Sequence, residues 1–138
     1  YRTAISDRVD RVLVLLLEDG KNITWVSPKI LAKTALSLDK AGAMAFENLS
    51  REMKNTKIEF SEMDGVRLGY LNTTLPFKSS LILAPNLKQC VEATLGWPLM
   101  AAAPDRDFLY LWAARHDKFI NRVGGGVVEQ NAKASYPL

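Results

Sequence analysis

One cysteine and one histidine stand among 138 residues, and that scarcity excludes more chemistry than any motif suggests. Cys90 alone forms no internal disulfide, which fits a reducing, cytoplasmic compartment. Together Cys90 and His116 cannot supply the three or four nitrogen and sulfur ligands that a zinc site needs. Neither a metal nor a cofactor is expected. Long apolar runs are missing too. The longest, Val12 to Leu17, falls far short of the roughly 20 residues that cross a membrane. No basic segment followed by a long apolar one opens the chain, so no signal peptide is expected, although Tyr1 leaves a trimmed N-terminus open. Charge of one sign is scarce as well: 18 Lys and Arg stand against 15 Asp and Glu. The basic excess is one up to Gly69 and two after it. Despite a pI near 9.1, this spread gives no basic face and no aromatic-basic ladder, so nucleic acid is not the expected partner.

What is present is apolar: 48% of the residues are hydrophobic, enough for one core, and residues 1–138 read as a single domain. The densest stretch is Pro98 to Ala113. The apolar run Leu99 to Ala103 and the aromatic run Phe108 to Trp112 flank Pro104-Asp105-Arg106-Asp107, four residues of turn chemistry. Proline presets φ in a tight turn and aspartate accepts bonds from turn amides, so this reads as a β-hairpin. Arms apolar on both sides place it mid-sheet or under a helix.

Arg11 to Leu17 reads as a strand buried on both faces, closed by Glu18-Asp19-Gly20-Lys21, with Ile23 to Val26 as its partner. Ser27-Pro28 supplies a helix cap and a first-turn proline. The helical stretch reaches about Met53 with a break near Ser37 to Lys40, and Ala41, Met44, Ala45, Leu49 and Met53 share one side. Lys57 to Asn72 is a second hairpin. A two-residue Asp64-Gly65 turn would set Ile58 and Phe60 on the face opposite Val66, Leu68 and Tyr70. A three-residue Met63-Asp64-Gly65 loop aligns all five, and the apolar pattern selects it, with Gly65 left-handed. Asn72 to Ser80 is a loop. Pro85 opens a helix carrying Leu87, Val91 and Leu95, and Gly96 caps it. The last helix begins near Arg115, and the glycines 124 to 126 are expected to stop or bend it.

The expected class is α+β, an antiparallel sheet built from hairpins with helices on one face, in the order ββ-αα-ββ-α-ββ-α. Four stretches in order, Ala45-Phe46-Glu47-Asn48-Leu49, Lys78 to Leu83, Ala103 to Leu109 and Tyr136-Pro137-Leu138, resemble the YtpQ-like family of bacterial cytosolic proteins, a domain of unknown function. The resemblance implies a soluble bacterial domain of this fold and adds nothing about mechanism.

Candidate chemistry is sparse. Asp105, Arg106 and Asp107 are the foremost site candidates, since two carboxylates two residues apart can hold a hard cation or act as an acid/base pair. Aspartates at a turn also commonly bond backbone amides, which is the structural reading. His116 could serve as a base only with Ser79, Ser80 or Cys90 brought to it by the fold; a satisfied, partly buried histidine is the plainer role. Cys90 beside apolar neighbours reads as core. The triple glycine lacks the Lys-Ser/Thr of a phosphate loop. Two functions follow. One is a non-enzymatic module that binds a protein partner or small ligand through a helix-free sheet face or through Trp25, Trp97 or Trp112. The other is a hydrolase- or transferase-like enzyme that joins the Asp105/Asp107 turn to His116 or Arg115.

Overall fold

Four strands of the C-terminal part pair into one antiparallel sheet, and both of its faces are buried. The computed structural model describes every residue except Arg8, Asp19, Lys21, Tyr136 and Leu138. The expected Glu18–Lys21 turn and the chain's last three residues therefore lie partly outside the described residues. The chain divides into two compact units, Tyr1–Asn48 and Leu49–Leu138.

In the first unit the apolar run that reads as one strand forms two, β2 (Asp10–Val12) and β3 (Val14–Leu16), on either side of Leu13. Strand β1 (Arg2–Ala4) pairs with β2, and β4 (Ile23–Trp25) pairs with β3, both antiparallel. Leu13 joins the two ladders: its N–H donates to the Tyr1 carbonyl and its own carbonyl accepts the Val26 N–H. The expected two-sided burial is not found, because Leu15, Leu16 and Leu17 are each at least 40% exposed. Two strands bury little by themselves.

Helix α1 (Pro28–Thr34) starts as its sequence suggests, with Ser27 Oγ accepting the Ile30 N–H and Pro28 in the first turn. It ends on Ala35 in the left-handed region, φ 54°. Ser37 Oγ then accepts the Lys40 N–H and opens α2 (Leu38–Asn55), so the expected break is present.

In the second unit, β5 (Lys57–Met63), β6 (Val66–Asn72), β7 (Leu99–Ala102) and β8 (Tyr110–Ala113) lie in the order β5-β6-β8-β7. One face carries Leu71 and Leu111 against Met53, a 3-10 segment at Lys78–Leu83, and helix α3 (Leu87–Leu95) with Val91 and Leu95. The other carries Val66, Leu68 and Trp112 against Phe119, with Val123 beside them. Those two come from a 3-10 segment, Ala114–Phe119, and helix α4 (Ile120–Lys133). The α+β class, the hairpins and the element order are as expected. Helices on one face only are not: this sheet is covered on both.

Two-sided burial also corrects the hairpin register. Glu62 pairs with Arg67 and Phe60 with Gly69, across a two-residue Asp64-Gly65 turn with φ of 52° and 74°. Strand β6 therefore sends Leu71 to one core and Val66 and Leu68 to the other, with Ile58 of β5 packed beside Leu71, and aligning the apolar residues on one face gains nothing. Gly65 is left-handed as expected, within the paired positive-φ turn that matches strand twist.

Gly96 caps α3, its N–H donating to the Glu92 carbonyl at 2.9 Å. The glycines 124 to 126 do not end α4. A helical glycine costs about 1 kcal/mol against alanine but keeps its N–H, so a helix can pass through.

Candidate functional site

The central turn is a seven-residue loop, 103 to 109, between an edge strand, β7, and an inner one, β8. Asp105 Oδ1 accepts the Asp107 N–H at 2.7 Å, and the Asp105 carbonyl receives the Phe108 N–H. The Arg106 carbonyl accepts both the N–H and the hydroxyl of Ser79, at 3.0 and 2.9 Å. From the other side, Asn131 Nδ2 of α4 donates to the Pro104 carbonyl at 2.8 Å. The loop is thus tied to two separate elements, and its carboxylates serve mostly to fold it. Asp107 meets Arg106 Nε at 3.3 Å through Oδ2, while its buried Oδ1 has no hydrogen-bond partner among the described residues. Phe108, read as part of the strand, is 43% exposed in the loop.

The structure keeps Asp105, Arg106 and Asp107 together and does not bring Arg115 or His116 to them. The loop joins β7 and β8 at the Ala102–Tyr110 end of the ladder, whereas Arg115 and His116 follow Ala113 at the other end. His116 is half-buried in the 3-10 segment, with φ −104° and ψ 46°, and not on the helix proper. The Arg115 guanidinium lies over Gly96, close enough that a Cβ there would sit 2.7 Å from Nη1. Ser79 and Ser80 spend their hydroxyls on the carbonyls of Arg106 and Phe77. Cys90 packs against the α3 core. Among the described residues no three His, Cys, Asp or Glu side chains group as metal ligands. Of the three tryptophans, Trp112 is fully buried, while Trp25 and Trp97 are 64% and 45% exposed.

Two features lie outside the sequence reading. The first is a cleft of about 540 Å³ between α4 and the sheet, floored by Met63, Leu68, Val123 and Val127. Tyr110 Oη and the Gln130 amide meet in it, 3.1 to 3.2 Å apart. The twenty residues separating Tyr110 from Gln130 leave no local pattern by which they could be paired.

The second is the edge of the N-terminal ribbon. Val9, Leu13 and Leu17 bond inward, to Ile5, to Tyr1 and Val26, and to Asn22. Backbone direction alternates along a strand, so the N–H and C=O groups of Asp10, Val12, Val14 and Leu16 all point to the other edge. No described strand pairs there. Both partners lie end to end along the same side, and the Tyr1 ammonium group donates to the Val26 carbonyl at 2.9 Å to close the join. Among the described residues the opposite side is therefore one continuous unpaired edge. An apolar run marks a strand, but which of its edges is bonded depends on the pairing alone.

Among the described residues no helix is long and apolar enough to cross a membrane. Comparison with protein-family models, with curated proteins and with solved structures finds no match to this chain.

Proposed function

We propose that this chain is a non-enzymatic protein-binding module that takes an extended segment of a partner as an added strand along residues 10–16. One observation carries the reading: four consecutive outward backbone positions, Asp10, Val12, Val14 and Leu16, have no backbone partner among the described residues. Exposed edges in other folds are protected by lysine, proline, bulges or inward-pointing charge, and Val12 to Leu17 contains no lysine, proline or charged residue. Strand addition supplies main-chain bonds for affinity and alternate side chains for selectivity. Trp25 and Leu16, exposed on the same ribbon, provide the apolar contact. A reducing bacterial cytoplasm is the setting that the single cysteine and the YtpQ-like resemblance favour.

The test is capture from extracts of the producing cells, comparing the native chain with Val14→Pro and Val14→Thr. Proline removes one outward N–H and is tolerated at an edge, whereas threonine keeps both the N–H and the β-branched shape. A partner retained by the native chain and by Val14→Thr, and lost by Val14→Pro, is the expected result. A partner held equally by all three overturns strand addition. A small apolar ligand in the Tyr110–Gln130 cleft is a second reading, favoured by its volume and its mostly apolar floor.

A further inference from the structure

We infer that the strand added along residues 10–16 is the same stretch of a second copy of this chain, paired antiparallel about Leu13. The inference rests on the strand-addition reading and names its occupant.

The geometry of the edge restricts the possible registers. Only outward-pointing residues can exchange main-chain bonds across a new ladder, so even positions must meet even positions. Centring the pair on Leu13 sets Asp10 opposite Leu16 and Val12 opposite Val14, and the same again in reverse. That register engages all four outward residues of each copy, with each pair exchanging two hydrogen bonds. Centring on Val14 would place Asp10 opposite Glu18, and centring on Arg11 would place two arginines face to face. Like charges directly opposite destabilise a ladder. The Leu13 register sets no two charges of one sign opposite each other between residues 10 and 16, and Asp10 already has its cation in Arg2, at 2.6 Å.

Side-chain chemistry favours the same partner. Directly opposed residues share a face, so Val12 and Val14 of one copy meet Val14 and Val12 of the other, with Leu16 opposite Asp10 at each end of the same face. Ile23 and Trp25, paired with Leu16 and Val14, extend that apolar face outward on both flanks. Val12 and Val14 are both β-branched, the shape that packs well on a pleated, half-buried surface. Each ribbon alone has two strands in any cross-section, the number at which a sheet is marginal in water, and pairing two ribbons gives four. A C2 interface requires a patch complementary to itself, and an antiparallel strand edge meets that requirement by construction.

The experiment uses the full chain. Sedimentation of the native protein at micromolar concentration is expected to show a dimer. Val14→Pro should weaken association at least tenfold with an unchanged near-ultraviolet spectrum, and Val14→Thr should remain dimeric. Register is read with cysteines in a Cys90→Ala background. Leu13 would face its own copy as a non-hydrogen-bonded pair with Cα atoms about 4.5 Å apart, inside the range that a disulfide spans. Mild oxidation should therefore link Leu13→Cys readily, and Leu15→Cys, set opposite Arg11, far less. A monomeric native chain overturns the inference, as does a dimer indifferent to Val14→Pro, or one linked better through Leu15→Cys. A monomer that still captures a different protein in a Val14→Pro-sensitive way overturns the second copy alone and leaves strand addition standing.

Discussion

Asp105 and Asp107 carry unequal weight although they stand two residues apart. Asp105 accepts a turn amide at 2.7 Å, and removing that acceptor leaves the amide without its partner. Asp105→Ala is expected to lower stability by about 1 kcal/mol, read as a lower urea midpoint. Asp107 holds one buried oxygen without a partner among the described residues and the other at 3.3 Å from Arg106, so Asp107→Ala should move the midpoint less. Equal losses would show that the Asp105 bond does not set the turn. Glu59 makes a different prediction. Asn72 first, then Tyr70 and Lys57, hydrogen-bond its carboxylate and lower its pKa to about 2. A carboxyl depressed in the folded state stabilises above its unfolded pKa, near 4.3, and loses that contribution as pH falls toward 2. The native chain should therefore exceed Glu59→Gln in urea midpoint at pH 6, with the gap narrowing at pH 2.5. A constant gap would mean that the Glu59 bonds do not distinguish charged from neutral carboxyl.

Glycine acts in opposite directions in two elements. At Gly65, φ is 74°, where a Cβ is strained, so Gly65→Ala should cost on the order of 1 kcal/mol and lower the melting temperature. Inside α4, Gly124 and Gly125 have right-handed backbones and nothing within 4 Å of an added Cβ. Gly124→Ala and Gly125→Ala should each stabilise by roughly 0.5–1 kcal/mol in the same melting assay. Loss of stability there would mean that the helix is not formed across the glycines. What was legible in the sequence follows the same division. Caps and turns are local chemistry, so Ser27-Pro28, the break before α2, Gly96 and the left-handed Gly65 could all be read. The hairpin register could not, because it depends on whether a second helix layer covers the sheet. That layer is α4, which the glycines concealed. Asp105 and Asp107 showed as turn residues, but their distance from His116 depends on which way β8 runs from the loop. The unpaired ribbon edge left no sequence signal beyond an apolar run without lysine or proline.

Both buried clusters draw only on residues from 49 onward, so most of the core belongs to the second unit. A fragment of residues 38–138, which keeps α2 whole, is expected to unfold cooperatively and to retain the near-ultraviolet signal of Trp112 against Phe119. A fragment lacking that signal would show that the N-terminal unit is needed to form the core. The three indoles also occupy three settings. Trp112 is sealed edge-to-face against Phe119, 5.7 Å between ring centroids, Trp97 lies under the Lys88 ammonium, and Trp25 stands mostly in water on the ribbon. Their fluorescence therefore comes from separable sources. Emission from Trp112, fully buried, is expected to be blue, shielded from iodide and a report on the core. Trp25 is the most exposed of the three, so its emission is expected to be red and open to iodide, and in a Trp97→Phe chain the quenchable fraction reports on the ribbon alone.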